Sequence, residues 1–516
     1  MKKERKNFVE ALQAQNVKRK TFTENGAVAY ETTGKNLLDF NFKLSQYRNI
    51  EIEEIKNDFS KVFFEDPMLA TKFVFYIGDV RGGLGERRTF NACIEWLIEN
   101  KPEIALSVLE YIPEYTRWDN LAKLVKSKNK RIVNKVIITI GNQLIEDVYN
   151  MAEGKDISLC AKWLPSINAS SEETRVLANI ICKGLDLTPK RYRKTLSTLR
   201  KYLDVVEVKM SAKEWDKIDY ERVPSLANLK YSDAFYRNDM LRRAEYLSSL
   251  KNGKAKINAL VSQPHEIVRK YYNQPNSWLH RIKAFDDTLE EMWKALPNIY
   301  VEDSLIVRDG SGSMCCSVNS NSNTTCLDVA TALTIYCSEH NSNIWKDKFI
   351  TFSSRPEFVD LSMCHTLRDK LIRCDAEDDC SNTNIEATMR LILDTAIENN
   401  LSQEEMPKNI VIISDMQFDA RRGSFNWNKT LFEQIAEDYA EAGYKLPKIC
   451  FWNVCSRELN TIPMQDNELG LVLCSGFSIT NLNMFMSGEI NPYKILVEQI
   501  NSSRYDKIEK AIKTAF

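Results

Sequence analysis

The sequence predicts two architectures in one chain, an all-α half followed by an α/β half built as a doubly wound sheet. Three observations lead there. From about residue 37 to residue 296 apolar residues recur at three-to-four spacing, the period of amphipathic helices. Beyond about residue 303 short apolar runs alternate with helical stretches, the pattern of a parallel sheet. The charge balance turns over at the same place: residues 1–300 carry 50 Lys and Arg against 40 Asp and Glu, and residues 301–516 carry 20 against 31, giving the net −1.

Composition bounds the rest. With 516 residues, 43% hydrophobic and 27% charged, the chain predicts two to four globular units at roughly 100 to 200 residues each. No stretch approaches the roughly 18 uninterrupted apolar residues of a membrane span, and the opening Met1-Lys2-Lys3-Glu4-Arg5-Lys6 lacks a signal-peptide core, so a cytoplasmic protein without membrane contact is expected. Thirteen cysteines, several of them inside apparent strands or helices (Cys160, Cys337, Cys450, Cys474), read as small reduced hydrophobes. There is no CxxC pair, and His265, His280, His340 and His365 lack ligand spacing, which argues against structural zinc.

In chain order, residues 1–36 are polar and read as an arm, 37–300 as a helical-repeat-like domain and 301–516 as the α/β domain. Helical periodicity is clear at 67–76, 89–100, 104–111 and 175–182. Thr188 can cap a helix, Pro189 suits its first position, and 191–203 continue the period. No clean 34- or 40-residue repeat emerges. In the second half 304–308, 348–352, 409–413, 449–453 and 470–474 read as buried strands, separated by helices at 326–339, 385–398, 431–442 and 493–501.

Such a sheet places ligand loops at the carboxyl ends of its strands. There the first strand runs into Asp309-Gly310-Ser311-Gly312-Ser313, whose alternate oxygens can converge on Mg²⁺ or Mn²⁺ while the glycines let the backbone curl. Asp415 ends another apolar strand, and Thr383 precedes a helix; together Asp309, Ser311, Ser313, Thr383 and Asp415 form the candidate metal set. The acidic run 375–379 before Thr383 could add a ligand or merely flank it. Neutral hydroxyl ligands leave positive charge for an external carboxylate or phosphate. An aspartyl phosphatase would want a second acid where Ser311 stands, and Gly310-Ser311-Gly312 is out of frame for a GxSxG elbow, so hydrolysis is disfavoured.

The basic half offers RNA-binding candidates in three clusters: Arg81, Arg87 and Arg88 around a glycine-rich turn; Lys123, Lys126, Lys130 and Arg131; and Lys190, Arg191, Arg193, Lys194 and Arg200. A solvated helix face is at least as good a reading of either of the last two clusters alone, and an inter-helix turn is the favoured reading of the glycine-rich stretch. Tyr115, Trp118 and Tyr192 are candidates to stack on bases.

A helical basic half followed by a half with DGSGSM at 309–314 resembles the Ro autoantigen type of RNA-binding protein, in which a helical-repeat (TROVE) ring joins a von Willebrand A-like domain. Other stretches resemble the domain of unknown function 2828 family: NGAVA at 25–29, TTG at 32–34, DVRGGLGER at 79–87, KMSAKEW at 209–215, VPS at 223–225, NPY at 491–493 and SRYDK at 503–507. The Ro resemblance implies a non-enzymatic ribonucleoprotein component that takes small structured RNAs and single-stranded ends, with a divalent cation at the metal-site positions above. Two rivals stand beside it: a metal-dependent scaffold capturing an acidic protein partner without RNA, and, more weakly, a metal-dependent phosphoesterase.

Overall fold

A computed structural model of the chain describes residues 20–22, 28–272, 282–319, 322–353, 355–377, 384–417, 431–455, 462, 471–486 and 491–515. Contacts divide it into two compact units, one of residues 1–65 with 262–500 and the other of residues 66–261 with 501–516. The expected boundaries at 36/37 and 300/301 are not the borders of these units. Residues 37–65 and 262–300, expected in the helical domain, join the sheet, and residues 501–516, expected in the α/β domain, join the helices.

The sheet unit opens with a two-stranded antiparallel ribbon, β1 (Lys20–Phe22) and β2 (Val28–Tyr30). Its main sheet has six strands: β3 (Ser304–Asp309), β4 (Lys348–Phe352), β5 (Phe358–Asp360), β6 (Asn409–Ser414), β7 (Lys448–Asn453) and β8 (Leu471–Ser475). Their order is β5-β4-β3-β6-β7-β8, parallel except for the antiparallel edge strand β5. Every residue of β3 and β8, and all but the first of β6 and β7, is buried, so both faces of the sheet are covered. The chain leaves β3 for β4 on one side and returns to β6 on the other, which makes the carboxyl ends of β3 and β6 the topological switch point.

The segment after the ribbon packs beside β8. The Thr33 N–H and hydroxyl both donate to Asp39 Oδ1 (2.7 and 2.6 Å) at the start of the helix Asn36–Phe42, so the TTG motif shapes this turn. From there the Ser45 N–H donates to Ser475 Oγ (3.0 Å) and Asn453 Nδ2 to the Phe42 carbonyl (3.2 Å). Tyr30 and Ile462 exchange both backbone hydrogen bonds at 2.8 Å.

Among the described residues the regular elements of the other unit are all helices, from Pro67–Gly78 to Met240–Lys251 and again at Asp506–Lys513. The Thr188 side chain accepts from the Arg191 N–H at the start of Pro189–Tyr202, the cap the sequence predicts. No described helix is long and apolar enough to cross a membrane. The described cysteines are free, and Cys160, Cys337, Cys450 and Cys474 are buried as small hydrophobes.

Candidate functional site

Two places gather predicted site residues. At the switch point of the sheet, β3 delivers Asp309 and β6 delivers Ser414 and then Asp415; all three are at most 1% exposed. Ser414 Oγ donates to Asp309 Oδ2 at 2.6 Å, and the Ser311 N–H donates to Asp309 Oδ1 at 2.9 Å. Ser311 Oγ lies 2.9 Å from Ser313 Oγ, so the two hydroxyls of the loop are already side by side. The Gln417 N–H donates to Asp415 Oδ1 at 3.2 Å, and Met416 between them sits at φ +66°, a left-handed backbone that side chains with a β-carbon rarely adopt. The Asp309 carboxyl is pushed up to about 7 by burial and by the like charge of Asp415, against hydrogen bonds from Ser414 and Ser311 that favour its ionised form.

That upward push is what a divalent cation would relieve. No group of three His, Cys, Asp or Glu that could hold a metal occurs among the described residues, so a cation here would draw on two carboxylates, the serine hydroxyls and water. This all-oxygen set fits Mg²⁺ or Mn²⁺ and not zinc. Thr383, the remaining member of the candidate set, lies outside the described residues. Sequence reasoning missed Ser414, although a polar residue ending the apolar run 410–413 was a visible signal.

The second place lies in the helical unit. The helix Pro189–Tyr202 lines an open cavity of about 610 Å³ together with the 166–168 segment; Lys190, Arg193, Lys194 and Arg200 face it, with Ser166 and Asn168 and no acidic residue. Arg200 is held by three neutral acceptors, the carbonyls of Ala161 (2.8 Å) and Leu164 (2.7 Å) and Ser166 Oγ (2.8 Å). Burial lowers its pKa, and no carboxylate among the described residues offsets its charge. Lys190, Arg191, Arg193 and Lys194 are exposed and have no ion-pair partner among the described residues. Placing them in the first turns costs helix stability, because like charges three and four apart repel by about 0.2–0.5 kcal/mol per pair and the helix dipole disfavours cations there.

Most of the other basic candidates are engaged. Arg87 donates to Asp119 (2.8 Å) and Asn120 (3.1 Å), Lys126 pairs with Glu173 (2.7 Å), Arg131 grips Glu103 (2.5 and 2.9 Å), and Arg81 donates to the Glu114 carbonyl (3.2 Å). Arg88 also has a partner, whereas Lys123 and Lys130 are exposed on the surface. The aromatic candidates are corrected outright: Tyr115 and Tyr192 are at most 1% exposed and Trp118 8%, so none offers a ring face to a base. The spacing Tyr192, Leu196, Leu199 is the apolar stripe of one helix face, a signal that pointed inward.

The glycine-rich turn is a lock. Asp79 accepts from Arg504 Nε and Nη2 (2.7 Å for the latter), from the Tyr505 hydroxyl (3.1 Å) and from the Arg81 N–H (2.9 Å). A β-carbon on Gly83 would meet the Tyr76 carbonyl oxygen at 2.0 Å, and Gly85 takes φ +69°, so this turn closes only with glycine at both positions.

Comparison with known proteins places these features. The model for a domain of unknown function, DUF2828, matches residues 23–119 and 119–300, more than half of the chain. The chain belongs to the DUF2828 family. The model of a second domain of unknown function, DUF7788, matches residues 303–515. An uncharacterized protein of Acanthamoeba polyphaga mimivirus is 31% identical, over 92% of this chain and 86% of the relative. No solved structure matches. The DUF2828 motif at 79–87 and the SRYDK segment at 503–507, which falls under the DUF7788 model, meet in one hydrogen-bonded cluster.

Proposed function

We propose that this DUF2828 protein is a Ro-like RNA-binding protein, a non-enzymatic ribonucleoprotein component whose helical unit takes RNA and whose sheet unit, a domain of the von Willebrand A type, holds Mg²⁺ or Mn²⁺. The observation that carries the reading is the helix Pro189–Tyr202, where Lys190, Arg191, Arg193 and Lys194 stand exposed without ion-pair partners among the described residues. Elsewhere in this unit many cations are neutralised by a nearby carboxylate; here positive charge is concentrated against the helix dipole, which polyphosphate ligands reward and folding does not. Asp309, Ser311, Ser313 and Asp415 at the switch point would hold the cation, which when bound supplies a Lewis-acidic position for an external oxygen. Asp309 and Asp415 would provide its charge-neutralising ligands, and Ser414 would orient the Asp309 carboxylate.

A labelled structured RNA with a single-stranded tail, presented to the purified chain at two salt concentrations with Mg²⁺ or with chelator, tests this. Tight binding that weakens with salt and leaves the RNA uncut supports it. Absence of binding at low salt overturns it in favour of a second reading, a metal-dependent module capturing an acidic side chain of a partner, which the side-by-side Ser311 and Ser313 hydroxyls favour. Metal-dependent cleavage would move the assignment to a phosphoesterase.

A further inference from the structure

We infer that the cavity between Pro189–Tyr202 and the 166–168 segment is a pocket for the 5′-phosphorylated end of an RNA, distinct from a groove that tracks its backbone. This deepens the RNA reading above and rests on it.

The reasoning is one of charge density and shape. A nucleic-acid backbone carries a single charge per phosphodiester, spread along the strand, and proteins that follow it spread their cations in the same way. In this cavity Lys190, Arg193, Lys194 and Arg200 bring four positive charges to about 610 Å³, with no acidic residue among those lining it. That volume is the size of a small-molecule site. A terminal phosphate or triphosphate carries two or more charges on one compact group and several acceptor oxygens, which matches converging cations as an internal phosphodiester does not.

Arg200 gives the pocket a fixed element. Its guanidinium is immobilised by the Ala161 and Leu164 carbonyls and by Ser166 Oγ, so its charge is held in place before any ligand arrives. Because those three acceptors are neutral, the charge stays available to an anion. Asn168 and Ser166 add uncharged hydrogen-bonding groups at the same wall. Lys190, Arg193 and Lys194 are exposed on long stems and can close around a phosphate from the solvent side.

The experiment compares three probes on the full chain: one single-stranded RNA oligonucleotide with a 5′-triphosphate, the same oligonucleotide with a 5′-hydroxyl, and inorganic tripolyphosphate. The expected result is at least about tenfold tighter binding of the triphosphorylated RNA, as charge-assisted hydrogen bonds provide. Tripolyphosphate should compete with that excess alone. The double variant Arg193→Gln/Lys194→Gln, changed only at exposed positions and relieved of like-charge repulsion, should melt no lower than the parent and bind both RNAs equally. Equal affinity of the parent for the two RNAs overturns the pocket while leaving general RNA binding intact. Tripolyphosphate binding without RNA binding overturns both the RNA-end assignment and the RNA reading, and identifies a free polyphosphate as the ligand. If none of the three binds, both fall.

Discussion

Arg504 holds Asp79 through two guanidinium nitrogens across 425 residues of sequence, and the Tyr505 hydroxyl donates to the same fully buried carboxylate. Tyr115 closes the cluster: its ring stacks on Tyr505 with centroids 5.6 Å apart, and its hydroxyl donates to the Arg504 carbonyl at 2.7 Å. The segment that follows the sheet unit in sequence is thus fastened inside the helical one.

Arg504→Ala should therefore destabilise the helical unit by about 1.5–3 kcal/mol, the worth of hydrogen bonds to a charged group, since the half-exposed guanidinium is lost while the buried Asp79 keeps the Tyr505 and Arg81 donors. Urea unfolding followed by the helical circular dichroism signal measures it. Asp79→Ala combined with Arg504→Ala should cost much less than the sum of the single changes; full additivity would show that the pair is not coupled.

Gly83→Ala tests the turn that presents Asp79. The added methyl meets the Tyr76 carbonyl oxygen at 2.0 Å, a backbone atom that cannot swing away. A loss of about 1–3 kcal/mol or more is expected by overpacking, with a lower melting temperature as the readout; an unchanged melting temperature would show that the turn relaxes freely.

Divalent cations should raise the melting temperature of the chain, and chelator should lower it, because an ion bound only by the native state stabilises by about 2.7 kcal/mol at a hundred times its dissociation constant. Asp309→Asn and Asp415→Asn should each abolish that response while Ser414→Ala weakens it. A response that survives both carboxylate changes would place the ion elsewhere.

RNA affinity should divide the basic residues into two classes. Changing Lys190, Arg193 or Lys194 to Gln should each lower the slope of log affinity against log salt by about one unit. The same change at Lys126 or Arg131, already occupied by Glu173 and Glu103, should leave the slope nearly unchanged. Equal effects at all five positions would dissolve the distinction.

Acid should loosen the sheet unit through His265. Burial and the positive charge of Arg48 lower its pKa to about 3, and Nδ1 has neither solvent nor a hydrogen-bond partner. The neutral ring is favoured in the native state, so its contribution is complete above about 6.5, the ordinary histidine value, and drains away as pH falls toward 3. His265→Phe, beside the Phe477 ring at 4.8 Å, should flatten stability in that window. A pH profile unaltered by this change would exclude the residue as the cause.

Local signals in the sequence served the sheet well. The apolar runs at 304–308, 348–352 and 409–413 became β3, β4 and β6 to within a residue, and the helices at 326–339 and 385–398 match Cys326–Glu339, buried all round but for its last residue, and the amphipathic Ile385–Glu398, because length and apolar pattern are written locally. The edge strand β5 was not legible, since three residues paired on one side carry almost no pattern. At the candidate site, Asp309 and Asp415 were legible from their places after apolar runs, whereas the engagement of Arg87, Lys126 and Arg131 was not. Their carboxylate partners lie 28 to 47 residues away and are chosen by packing. The attachment of residues 501–515 to the helices was hidden for the same reason: SRYDK shows its composition in sequence but not the address of Asp79.

The interleaving of the two units sets an order of assembly. Synthesis runs from the amino end, so residues 66–261 leave the ribosome without Arg504 and Tyr505 and wait through the making of the entire β3–β8 sheet before they arrive. Throughout that interval the Asp79 carboxylate lacks its guanidinium partner, and the helical unit can complete this cluster only after translation has passed residue 505.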